Sequence, residues 1–173
     1  MVSWKRKSYD ELPALSVRGP ELRRYLRTVT LAWVFGSVWM VAIAGSRMTN
    51  YARMLGFADW HFGILQALPF LGNLAQLAAT IVIERTGLRK QQFLQCATLH
   101  RLLWLGIAVM PLVLPVPSAS AVWAMLALFA ISSFLASFGA PAWWSWMGDL
   151  IPRRIRGRYM ATRALISTAI RLP

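Results

Sequence analysis

Two short stretches bring an acid and arginines together. Gly148-Asp149-Leu150-Ile151-Pro152-Arg153-Arg154-Ile155-Arg156-Gly157-Arg158 places one acid, one proline and four arginines in eleven residues, directly after a run from Pro111 to Met147 without a single charge. Glu84-Arg85-Thr86-Gly87-Leu88-Arg89-Lys90 echoes it, with an acid and then basic residues around a glycine at the end of an apolar run. Opposite charges in two such loops can pair. An exposed pair contributes at most ~1 kcal/mol. Arginines alone would be explained by membrane orientation, which requires no acid. The acids go beyond orientation, so Glu84, Arg85, Gly87, Arg89 and Lys90 in one loop and Asp149, Arg156, Gly157 and Arg158 in the other are the strongest clue to function.

A second group consists of Gln66, Asn73 and Gln76, which interrupt an otherwise apolar stretch. Their intervals of seven and three place all three near one face of a helix. Polar side chains at membrane depth face protein or water, so these residues are candidates for a solute pathway. The alternative role is hydrogen bonding between helices, worth about 0.6 kcal/mol per contact. Arg101 and His100 form a third group within an apolar span. No acid stands near enough in sequence to complete a proton relay, and a long arginine can snorkel.

Other chemistry finds no support. His61 and His100 have no ligand neighbours at metal spacing, so no metal site is expected. No Gly-x-Ser-x-Gly elbow and no phosphate-binding glycine loop occurs, and no cofactor is implied. Cys96 is the single cysteine and reads as a small packing residue.

The elements that must hold these residues follow from composition. Of the 173 residues 57% are hydrophobic and 14% charged, whereas soluble domains carry roughly 25% charged residues. A soluble fold of this size could not cover so much apolar surface. The fold class expected is all-α, a polytopic transmembrane helix bundle. The net charge of +13 is spread over short segments between apolar spans rather than along one face, which argues against nucleic-acid binding.

Residues 1–28 form a basic segment with Lys5, Arg6, Lys7, Arg18, Arg23, Arg24 and Arg27, and from Glu21 onward it reads as an amphipathic turn at the membrane surface. It lacks the apolar core of a cleavable signal peptide, so the first span is expected to remain as an anchor. The transmembrane domain covers 29–173, with spans at about 29–53, 60–83, 93–114 and 118–150 and a partial one at 159–173. Asp59 stands where an N-cap would precede the second span. At 1.5 Å per residue the fourth span is about 50 Å long and must tilt, bend or protrude. Gly139-Ala140-Pro141 is the expected bend. Ser132, Ala136 and Ala140, with Ser133 and Ser137, make a ridge of small residues for close packing. Residues 159–173 are too few to cross a membrane.

Orientation follows from the basic residues. With the N-terminus inside, the inner segments hold the seven above, then Arg85, Arg89 and Lys90, then Arg153, Arg154, Arg156, Arg158 and Arg163. The outer loops hold only Arg47 and Arg53. A cytoplasmic N-terminus in a multi-pass protein, at a bacterial inner membrane, is therefore expected.

At this point the chain resembles the major facilitator superfamily of secondary transporters, as the N-terminal half. That family carries Gly-x-x-x-Asp-Arg-x-Gly-Arg-Arg or Lys between helices two and three, and Glu84-Arg85-Thr86-Gly87-Leu88-Arg89-Lys90 matches its second half. Between helices four and five it often carries Asp-x-x-Pro followed by Arg-Gly-Arg, matched by Asp149, Pro152, Arg156, Gly157 and Arg158. The resemblance runs from Leu22 onward. It implies inverted three-helix repeats, alternating access, and a cytoplasmic latch in which Arg85 or Arg89 meets Asp149. It also implies a missing C-terminal half, so that the chain alone should not transport. Thr80 stands where the family has glycine, Glu84 replaces aspartate and Leu88 replaces an arginine. The fourth span lacks the intramembrane arginine of many proton-coupled antiporters in the family, which argues against proton antiport.

The function expected is secondary transport of a small solute, with or without a coupling ion, and with the lipid bilayer as surroundings. The competing class is a membrane-embedded enzyme or a non-transporting helical scaffold. A membrane enzyme would gather acids or histidines at one membrane face, and no such gathering is present.

Overall fold

The computed structural model of the chain describes residues 19–43 and 45–171. Lys5, Arg6, Lys7 and Arg18 of the basic N-terminal segment lie outside them. Every described element is a helix: α1 (Gly19–Ile43), α2 (Ser46–Leu55), α3 (Asp59–Gly72), α4 (Ala75–Thr86), α5 (Arg89–Val113), α6 (Ala119–Leu150) and α7 (Arg153–Arg171). Three stretches are long and apolar enough to cross a membrane, Asp59–Thr86, Arg89–Val113 and Ala119–Leu150. A fourth results if Pro20–Val41 and Ser46–Leu55 count as one broken span.

The helix expected over 29–53 is thus two helices. Between them Gly45 has φ +66°, a left-handed conformation that ends a helix and that other residues adopt only with strain. The helix also begins at Gly19, ten residues before the apolar run, so the basic turn from Glu21 to Arg27 is its first part. The second span divides at Asn73 and Leu74, where Leu74, Gln76 and Leu77 donate their N–H groups to carbonyls three residues back. This tighter turn changes the angular register between α3 and α4. Pro69 lies one turn ahead of it and removes a helical donor.

Two compact units result: Met1–Gly45 with Met147–Pro173, and Ser46–Trp146. In the second, the core gathers Ala52 and Leu55 of α2, Phe57, Leu65 of α3, Met110 of α5, and Ala121, Val122, Met125 and Leu126 of α6. The four α6 residues follow the i, i+1, i+4, i+5 spacing of one helical face. Ser118 starts that helix. Its hydroxyl accepts the Ala121 N–H at 3.2 Å, and its carbonyl accepts the Val122 N–H. The α2–α3 turn is fastened to this start by a bond from the Ser118 N–H to the Leu55 carbonyl. α3 is capped differently from the expectation at Asp59. The N-cap is Ala58, whose N–H donates to His61 Nδ1 at 2.9 Å, and Asp59 is the first helical residue, paired with Arg53. An acid in a first turn complements the helix dipole.

Proline at 141 does not end α6, which continues through Gly139-Ala140-Pro141 to Leu150 as one element. In the other unit α7 begins at Arg153, immediately after Pro152, so Arg156-Gly157-Arg158 lies in its first two turns rather than in a loop. The fifth helix is 19 residues long, not the 15 of 159–173. Proline is well suited to the position before a helix because the residue itself needs no intrahelical donor.

Candidate functional site

The two acid-and-arginine segments form tight corners. In Ser46–Trp146, Glu84 and Arg85 are exposed on the last turn of α4. Gly87 closes that helix in a left-handed cap with φ +68°, donating its N–H to the Ile83 carbonyl at 2.8 Å. α5 restarts at Arg89, which is half-buried. The Lys90 ammonium sits 6.0 Å from the centre of the Trp146 ring. In the other unit, Asp149 is half-buried in the last turn of α6. Arg156 there donates to the Gly148 carbonyl and, at 3.1 Å, to the Ile151 carbonyl. A guanidinium at those carbonyls satisfies the end of α6 and complements its dipole. Arg156 therefore secures the α6–α7 corner. Gly157 and Arg158 are exposed on α7.

Within the polar group of the second span, Asn73 is the meeting point. Asn73 Oδ1 accepts two bonds, from Gln76 Nε2 at 3.1 Å and from the Ser137 hydroxyl of α6 at 3.2 Å. Gln66 does not join them and is exposed on α3. Close approach of backbones makes the bond to Ser137 possible. A Cβ added to Gly72 would lie 3.1 Å from the Ser133 carbonyl oxygen and 3.2 Å from its carbon. The ridge of small residues on α6 thus carries polar partners as well as packing.

His100 turns inward and Arg101 outward. His100 Nδ1 is 2.7 Å from the Ser132 hydroxyl and 3.0 Å from the Ser132 carbonyl oxygen. Ser132 is 1% exposed. Arg101 is exposed and donates back to the Ala97 carbonyl of its own helix at 3.2 Å.

Residues counted only as orientation charges or span interior form a further cluster, between α1 and α7. Arg163 is 5% exposed, with its guanidinium carbon 4.3 Å from the centre of the Trp33 ring. Trp33 Nε1 donates to the Ser167 hydroxyl at 2.6 Å, and Thr30 meets the Tyr159 hydroxyl at 3.0 Å. The signal was present as spacing. Thr30, Trp33 and Ser37 recur at i, i+3, i+7, and Tyr159, Arg163 and Ser167 at i, i+4, i+8, each set on one helical face.

No three of His, Cys, Asp and Glu gather among the described residues. A cavity of about 280 Å³ beside His61 and Trp123 has no charged lining residue and lies apart from the polar residues of α4 and α6 described above. No protein-family model, curated protein or solved structure matches this chain.

Proposed function

We propose that this chain is part of a secondary transporter resembling the major facilitator superfamily, and that it moves a small solute by alternating access. One observation carries the reading. The second span tightens at Asn73 and Leu74, both still helical in backbone, and there Asn73, Gln76 and Ser137 are joined by hydrogen bonds. Polar groups gathered on apolar spans mark solute pathways in membrane proteins. Gln66 is the outlying member of the pathway, on the same span. The corners at Gly87 and Pro152 serve in this reading as a cytoplasmic latch, with charge pairs weak enough to open. In this reading the bilayer surrounds the helices.

The test is accessibility at position 73. The parent is the chain with Cys96 replaced by alanine, joined to its second half and placed in membranes. A cysteine at 73 is expected to react with a membrane-impermeant thiol reagent, and conditions that favour one side should switch which side labels it. Labelling by lipid-soluble reagents only, under every condition, would place residue 73 against lipid and overturn the reading.

A further inference from the structure

We propose that His100 is a proton-binding site whose occupancy is transmitted through the backbone of α6 to Asn73. The starting point is a conflict at one atom. His100 Nδ1 lies within bonding distance of two oxygens of the same residue, the Ser132 hydroxyl at 2.7 Å and the Ser132 carbonyl at 3.0 Å. It cannot treat them alike. With its proton on Nε2, the neutral ring accepts the Ser132 O–H at Nδ1. Once protonated, Nδ1 becomes a donor and its acceptor is the carbonyl oxygen, while the serine proton must rotate away. A proton therefore moves the bond from a side chain of α6 to its backbone.

The residues next along α6 touch the break in the second span. The Ser133 carbonyl lies 3.1 Å from where a Gly72 Cβ would be, so the backbones of α6 and α3 meet there without an intervening side chain. One turn further, Ser137 holds Asn73 Oδ1 at 3.2 Å. Gly72 and Asn73 are consecutive, and both are in contact with the turn of α6 that begins at Ser132. Packed interfaces of this kind transmit small shifts because there is no slack to absorb them.

Each acid on the neighbouring helices stands at a helix end, Asp59 in the first turn of α3, Glu84 in the last turn of α4 and Asp149 in the last turn of α6. On α5 the neighbours are buried Cys96 one turn back and exposed Arg101. α2 contributes the Tyr51 hydroxyl, bonded to the Ile107 carbonyl further along α5. α6 has no ionisable side chain from Ala119 to Gly148, and the second span has none between His61 and Glu84. An imidazolium at position 100 donates from Nδ1 to the Ser132 carbonyl, which ties the proton to the backbone. In the transport reading, on which this consequence alone rests, the coupling ion is a proton.

The experiment uses the 173-residue chain in nanodiscs. The chain has two histidines and two asparagines, so ¹⁵N labelling of those types yields two imidazoles and two side-chain amides. His100→Gln and Asn50→Ser assign them. Across a titration from about pH 4 to about pH 9, the window in which histidines change charge, the Asn73 amide signal is expected to move with the His100 midpoint. His100→Gln abolishes that movement. Ser137→Ala removes the hydroxyl that meets Asn73 Oδ1, leaves His100 titrating and uncouples Asn73. A flat Asn73 signal, or one that follows His61, overturns the proposal on the parent chain alone. An Asn73 response unchanged in Ser137→Ala overturns the route through α6. Failure of solute to move in a transport assay would leave these signals as they are, so the two readings fail separately.

Discussion

Replacing Gly72 by alanine sets two effects against each other, and the contact geometry decides between them. Alanine favours helix over glycine by up to about 1 kcal/mol in a helix interior. Gly72 is the last residue of α3, where that gain is smaller. The added methyl would meet the Ser133 oxygen at 3.1 Å, its carbon at 3.2 Å and the Phe134 nitrogen at 3.4 Å. All three are backbone atoms and cannot rotate aside, so α3 and α6 must separate by a few tenths of an ångström. Overpacking of this kind costs about 1–3 kcal/mol. The net expectation is a destabilisation of about 1–2 kcal/mol, together with loss of the Asn73–Ser137 bond, which at 3.2 Å has little room to lengthen. Unfolding of the detergent-solubilised chain, titrated with dodecyl sulfate, measures the first part, and the Asn73 amide shift measures the second. Ser133→Ala should not rescue the variant, because the obstacle is main chain. Unchanged or raised stability, or rescue by Ser133→Ala, would show that the helices do not meet at Gly72 as described.

Three further outcomes are expected. Reporter fusions at Gly87 and Pro117 should read on opposite sides of the membrane, with Gly87 inside, because the basic residues flank the former and not the latter; equal cytoplasmic activity at both would refute the topology. In the transport reading, Asp149→Arg should shift position 73 towards inward access, and an added Arg85→Asp or Arg89→Asp should restore the parent balance; a double variant no better than the single one would remove the latch. Trp33→Leu should destabilise the α1–α7 pair by about 2–3 kcal/mol, from the lost ring over Arg163 and the lost bond to Ser167; a thermal-unfolding change below about 0.5 kcal/mol would deny the ring that role.

Several features of this protein are written in local sequence. The all-helical class follows from long apolar runs, since a membrane leaves backbone groups no partner except within the segment. The third and fourth spans were legible to within a few residues because sharp boundaries mark them, Gly87 at the start of one and Ser118 at the start of the other. The segments around Gly87 and Pro152 were recognisable for the same reason, being abrupt changes from apolar to charged residues.

Tertiary contact decided the rest. Periodicity could place Gln66, Asn73 and Gln76 near one face, but it could not show that Gln76 and Ser137 bond to Asn73 while Gln66, about two turns away, is exposed. Nor does a stripe of small residues state its partners. Ser132 and Ser137 became hydrogen-bonding groups only because His100 and Asn73 arrive opposite them from helices about 32 and 64 residues away in sequence. The same holds for Arg163. As a charge near a basic corner it looked like an orientation signal, and the indole of Trp33, 130 positions earlier in the chain, gives it a packed face. A single sequence records which side chains can donate, accept or stack, but the pairing depends on which helices pack together, and that is fixed by the shape of both faces at once.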